Sequence, residues 1–85
     1  MLGFKQYMIS NHINEQTPKG DLARDLKMDK EFPRISCKKE GIIYLENRGA
    51  CYNAIKTFKD SWKEYKGYRL KEISKINNTQ SMIYE

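Results

Sequence analysis

Four lysines in the second half of the chain are the residues best suited to binding a ligand. Lys56, Lys59, Lys63 and Lys66 recur every three or four residues, which places them on one face if this segment is helical. Such a face would span about 15 Å, at about 1.5 Å per residue, and could follow two or three phosphates. A lysine-rich face is also typical of ordinary helix surface exposed to solvent, and Asp60 is within helical reach of Lys56 and Lys63.

Other residues extend this candidate surface. Arg48 lies close to the start of the same helix, and Tyr52 falls off its apolar positions and is free to make contacts. Lys38 and Lys39 could add further positive charge. The candidate binding face therefore comprises Lys56, Lys59, Lys63, Lys66, Arg48 and Tyr52.

Three aspartates are the strongest candidates for acid–base chemistry or cation binding. Asp21, Asp25 and Asp29 are spaced four residues apart, and paired carboxylates can perform either role. They alternate with basic residues, however, and no neighbouring motif supplies further ligands. We interpret this acidic stripe as helix capping and ion pairing.

The remaining candidates for metal binding or nucleophilic chemistry are scattered. The cysteines Cys37 and Cys51 do not form a Cys-x-x-Cys pair, and the single histidine, His12, is distant in sequence. A zinc site would lack ligands, and no nucleophile–base pair is visible. We predict no enzyme, no metal and no cofactor, with His12 capping the end of a helix and Cys51 buried.

A long helix beginning near Ala50 must position the lysines. Its apolar residues follow the spacing of a helix with one buried face. The aromatic residues among them could pack in the core, or they could stack on nucleic-acid bases. Because the aromatic residues align with smaller apolar ones, we predict that they form the core. The predicted buried residues are Cys51, Ala54, Ile55, Phe58, Trp62 and Tyr65.

Three shorter helices are predicted before it. Thr17-Pro18 is a helix-start signal, Phe32-Pro33 is a helix-stop signal with Phe32 anchoring the loop, and Gly49 can end a helix in the left-handed conformation. Gly41 lies inside a helix and would permit a close backbone contact. The helices are expected over residues 3–12, from Thr17-Pro18 to Asp29–Lys30, and from Ser36 or Cys37 to about Asn47.

The fold class is therefore all-α, a compact bundle of four or five helices with a long last helix. This helix ends at Gly67 or continues through Tyr68, and residues 69–76 could add helical turns. We divide the chain into a helical domain at 1–67 and a C-terminal extension at 68–85. The extension is expected to be partly helical and then mobile.

The length, net charge and composition of the chain restrict the environment and the partners that it can have. The chain has 85 residues, a net charge of +5 and 39% hydrophobic residues, which fits one small domain. No apolar run is long enough to span a membrane, and the N-terminus does not resemble a signal peptide. We expect a cytoplasmic protein, and the abundance of lysine, asparagine and isoleucine suggests a bacterium or its phage.

Two stretches resemble a known family. GDLARDLKMDKEFP (20–33) and YLENRGACYNAIKTFKDSWKEYK (44–66), with the aromatic pair Phe4 and Tyr7, resemble the YozE-like proteins, small bacterial proteins with a sterile-alpha-motif-like (SAM-like) four-helix fold. The resemblance covers roughly residues 4–66. It implies the fold, and it carries no catalytic residues over to this chain.

Together these observations predict a non-enzymatic binding module. The leading hypothesis is recognition of an unidentified protein partner, as a small regulator or inhibitor. The alternative is nucleic-acid binding through the lysines of the last helix. Self-association is a further hypothesis, since an acidic stripe on one helix and a basic stripe on another could join copies head to tail.

Overall fold

Four helices and the loops between them make up the computed structural model, which describes the backbone of residues 1–84 and the side chains of residues 1–74. The all-α class is confirmed, and no strand occurs in this described part. The last helix runs through Gly67 without a break, so the backbone of residues 1–84 forms no fifth helix. The helices are α1 (Phe4–His12), α2 (Pro18–Met28), α3 (Lys38–Asn47) and α4 (Tyr52–Tyr84).

The C-terminal extension continues α4 as far as Tyr84. The predicted division at 67/68 stays a prediction. The predicted mobile end, residues 77–85, lies outside the residues whose side chains are described. No described helix is both long and apolar enough to cross a membrane.

Local sequence signals set the helix ends as expected. The Thr17 hydroxyl accepts a hydrogen bond from the Gly20 N–H at 3.0 Å, so it caps α2, and Pro18 occupies the first turn, where its missing N–H costs nothing. Gly49 follows α3 with a φ of 78°, a conformation that glycine adopts without a steric penalty.

The core lies where α1, α2 and α4 meet, and aromatic rings dominate it. The Phe4 ring of α1 lies 5.2 Å from Phe58, 5.4 Å from Trp62 and 5.6 Å from Tyr65, measured between centroids. Trp62 and Tyr65 are only 4% and 5% exposed. Phe58, Trp62 and Tyr65 therefore form the buried face of α4, as predicted, and not a stacking platform.

Helix α3 packs directly on the Phe58 ring through Gly41. A Cβ atom at this position would collide with the ring, so only glycine allows α3 to approach this closely. The predicted close contact at Gly41 is confirmed. This contact fixes the first half of α3 beside the N-terminal part of α4.

Cys51 is the one predicted core residue of α4 that proves to be exposed. The helix begins at Tyr52, one residue later, and the carbonyl of Cys51 accepts the Ile55 N–H at 3.1 Å. Because Cys51 precedes the first helical residue, its side chain does not follow the helical period. The prediction that Cys51 is buried is wrong.

Candidate functional site: a basic groove along the last helix

The lysine stripe of α4 divides between two cavities. Lys59, Lys63 and Lys66 line an open cavity of about 750 Å³. Lys56 lines a different cavity, of about 690 Å³, together with His12. Asp60 lines both cavities, so the two adjoin along α4.

We call the first cavity the basic groove. It runs between α4 and the segment that begins α3, and Gly67 leaves open space where a side chain would otherwise project. Five basic residues and one acidic residue line it. The lining comprises Ser36, Cys37, Lys38, Lys59, Asp60, Trp62, Lys63, Lys66, Gly67, Arg69 and Leu70.

The lysines of the basic groove are free of internal partners. Lys38, Lys59, Lys63 and Lys66 are exposed, and none forms an ion pair or side-chain hydrogen bond within residues 1–74. The expected pairing of Asp60 with Lys56 or Lys63 is also not formed there. Four ammonium groups therefore remain available to an anionic ligand.

Arg48 does not join the lysines. Its guanidinium donates to Glu31 Oε2 at 2.8 Å and to the Tyr44 hydroxyl at 2.6 Å, and lies 3.3 Å from Asp29 Oδ1. Tyr44 in turn donates to Asp29 at 2.7 Å, and this hydrogen bond lowers the pKa of Asp29. Arg48 thus ties the end of α3 to the end of α2.

Tyr52 is also separate from the basic groove. It is the first residue of α4 and is 78% exposed. The acidic stripe is broken up as well, because Asp21 pairs with Arg24 and Asp29 lies beyond the end of α2. The candidate residues brought together are Lys59, Lys63 and Lys66, joined by Lys38 and Arg69.

A polar network on another face of α4 was not predicted from the sequence. Glu64 Oε2 accepts hydrogen bonds from the Tyr7 hydroxyl at 2.6 Å and from His12 Nε2 at 2.7 Å, and Lys19 Nζ donates to Glu64 Oε1 at 2.9 Å. The other ring nitrogen of His12 lies 2.7 Å from Glu15 Oε1. We call these five residues the Glu64 network.

The prediction that His12 caps α1 is wrong, because both of its ring nitrogens bond to carboxylates and Ile13 is the C-cap residue. Only 9% of His12 is exposed, and it connects α4 to the α1–α2 loop. A sequence signal for this network was the position of Glu64. It follows helical spacing with Thr57, Ser61 and Tyr68, beside the aromatic core, and a carboxylate on such a face needs internal partners.

The electrostatics of the Glu64 network favour the ionised form of Glu64 and the protonated forms of Tyr7 and His12. Burial opposes ionisation of Glu64, but hydrogen bonds from Tyr7, Lys19 and His12 outweigh it and lower its pKa to about 2. Burial and the bond to Glu64 raise the pKa of Tyr7 to about 12. Burial also disfavours the charged form of His12, yet hydrogen bonds to Glu64 and Glu15 raise its pKa overall.

A catalytic acid or base works best with a pKa near the working pH. Glu64 and Tyr7 are shifted away from that range, and both nitrogens of His12 are occupied by carboxylates. The network is therefore suited to holding α1, α2 and α4 together. In residues 1–74, no group of three or more potential ligands is placed to hold a metal ion.

Comparison with known proteins identifies the fold. A family model described as the YozE SAM-like fold matches residues 3–67, which include all three shorter helices and the part of α4 from Lys56 to Lys66. No curated protein and no solved structure matches the chain. Arg69 and Leu70 of the basic groove lie beyond the matched range.

Proposed function

Since the chain belongs to the YozE-like family, which is described by its SAM-like fold, we propose that it is a non-enzymatic binding module that recognises a protein partner through the basic groove. The observation that carries this proposal is the set of four exposed lysines that have no partner among the described side chains, residues 1–74. A surface built only for solubility usually intersperses both signs of charge, whereas this groove has five basic residues and one acidic one.

Exposed apolar residues beside these lysines favour a protein as the partner. Leu70 is 63% exposed, and Ile73, almost one turn further along α4, is 43% exposed. Protein interfaces typically combine an apolar centre with a polar rim. The combination of Leu70 with surrounding lysines therefore resembles part of such an interface.

The compartment we propose is the cytoplasm. Cys37 and Cys51 are both free and exposed, and free thiols persist in reducing compartments. Cys37 lines the basic groove, so its oxidation would alter the surface that we assign to the partner.

Affinity capture followed by direct titration tests the proposed function. The tagged protein and its Lys59→Glu/Lys63→Glu variant are used as baits in an extract of the source cells, with Lys56→Glu as a charge-reversed control outside the groove. Any captured protein is then purified and titrated by calorimetry. We expect the double variant to weaken binding at least about tenfold, or about 1.4 kcal/mol.

The control gives this experiment its specificity. Binding by Lys56→Glu should stay within about twofold of the parent value. A purified partner that binds the double variant as well as the parent would show that the basic groove is not the recognition surface.

Nucleic-acid binding is the second candidate, and the regular spacing of the groove lysines favours it. Lys59, Lys63 and Lys66 span about 10 Å along one helix, which matches the separation of two or three phosphates. Titration of short duplex DNA, single-stranded DNA and RNA across a salt series tests it. Three contacts would give a log–log slope of about −2.7 on duplex DNA, and no binding at low salt would exclude this candidate.

A further inference from the structure

We propose that the basic groove binds an acidic segment of the partner protein, with an apolar side chain of that segment seated among its carboxylates. This inference rests on the proposed function and adds the chemistry of the partner. Its basis is the arrangement of charge and apolar surface in the groove, taken residue by residue.

The positive charge comes from two separate parts of the chain. Lys59, Lys63, Lys66 and Arg69 project from α4, while Lys38 projects from the first turn of α3 on the other side of the groove. Opposite walls of like charge favour an anionic segment lying between them. Since the four lysines have no ion pairs within residues 1–74, a bound carboxylate displaces none there.

Uncharged residues also line the groove. Gly67 leaves open space, the otherwise buried Trp62 contributes to the lining, and Leu70 is 63% exposed. Burying apolar surface contributes about 25 cal/mol per Å², and a sugar–phosphate backbone has little apolar surface to offer. A leucine-like or aromatic side chain of a peptide fits this uncharged part of the groove better.

The length of the groove indicates the length of the segment. From Lys59 to Leu70, α4 rises about 16 Å, which an extended peptide covers in about five residues at about 3.3 Å each. We therefore infer a recognition segment of five to six residues, with acidic residues on both sides of a central apolar one.

Synthetic peptides test this inference directly. The probe is a capped eight-residue peptide with glutamates on either side of a central Leu-Phe pair. Two matched peptides replace all glutamates by glutamine, or the Leu-Phe pair by Ser-Ser. Binding to the full chain is followed by ¹⁵N chemical shifts, which detect weak complexes and locate the affected amides.

We expect the acidic apolar peptide to shift the amides that line the basic groove. The glutamine peptide and the Lys63→Glu variant should each weaken binding at least about tenfold, because charge complementarity is lost. The Ser-Ser peptide and Leu70→Ser should each weaken it about three- to tenfold. Lys56→Glu, with the same change in net charge, should bind within about twofold of the parent.

Three results would overturn the inference: equal binding of the glutamine peptide, equal weakening by Lys56→Glu and Lys63→Glu, or absence of binding by every peptide. Binding of duplex DNA that is insensitive to Leu70→Ser would assign the groove to nucleic acid instead. Chain dimerisation abolished by Lys63→Glu would assign it to a second copy of this protein.

Failure of this inference can be separated from failure of the proposed function. If a captured protein needs the basic groove but binds through a neutral segment, only the acidic segment is excluded. If charge reversal in the groove leaves the captured protein bound, both proposals fail.

Discussion

Lys63 and Glu64 are neighbours in the sequence, yet the fold exposes the charge of one and surrounds the charge of the other with hydrogen-bond donors. Lys63 lies on an exposed wall of the basic groove and has no hydrogen-bond or ion-pair partner within residues 1–74. Glu64 is half-buried and accepts hydrogen bonds from three side chains. One helix thus carries one charge that stabilises the fold and one that is available for binding.

This difference indicates which charges can be changed without unfolding the protein. A half-buried carboxylate lowers the stability of the fold unless hydrogen-bond donors surround it, and removing the carboxylate leaves those donors without an acceptor. An exposed lysine without partners contributes little to the free energy of unfolding. The two regions should therefore respond to mutation, pH and salt in different ways.

The largest expected effect comes from removing the centre of the Glu64 network. Glu64→Ala leaves Tyr7, His12 and Lys19 without their acceptor, and we expect it to lower the free energy of unfolding by about 3 kcal/mol. The neighbouring Lys63→Ala should change it by less than about 0.5 kcal/mol. Urea denaturation of both variants checks the comparison, and equal effects would contradict it.

Acid should weaken the same network. The pKa of Glu64 is lowered from 4.5 to about 2, so its contribution to stability is complete above pH 4.5 and is lost as the pH falls toward 2. We expect a drop in unfolding temperature over this range that is smaller in Glu64→Gln. A drop of the same size in that variant would assign the acid sensitivity to other carboxylates.

Alkali should weaken it from the other side, through His12. The pKa of His12 is raised above 6.5, so its contribution is complete below pH 6.5 and is lost as the pH rises through the raised value. NMR titration of the ring should show this raised pKa, and its return toward 6.5 in Glu64→Gln. If the stability of the parent does not change above pH 6.5, His12 does not stabilise the fold through the Glu64 network.

The sequence predicted the basic groove better than the Glu64 network for a physical reason. Helical periodicity is local, so it placed the aromatic core of α4 and gathered Lys59, Lys63 and Lys66 without knowledge of the other helices. The bond between His12 and Glu64 joins residues 52 positions apart. Only the packing of α1 against α4 brings them together.

Two wrong predictions concern helix ends and loops, where helical periodicity gives no information. Cys51 is exposed because α4 begins at Tyr52, about two residues later than predicted. Arg48 turns toward Asp29 and Glu31 because the loop after α2 places these carboxylates beside the end of α3. A helix period cannot predict a contact that a loop creates.

The smallest effect on stability is expected in the basic groove, where binding should change most. Lys59→Glu/Lys63→Glu should change the free energy of unfolding by less than about 1 kcal/mol. Raising the ionic strength from about 0.05 to 0.5 M shortens the screening length to a few Å, so it should weaken peptide binding to the groove severalfold while the unfolding temperature of the parent changes little. Parallel peptide titrations and thermal melts at both salt concentrations check this. Binding that resists salt while the fold weakens would reverse the roles that the structure gives to Lys63 and Glu64.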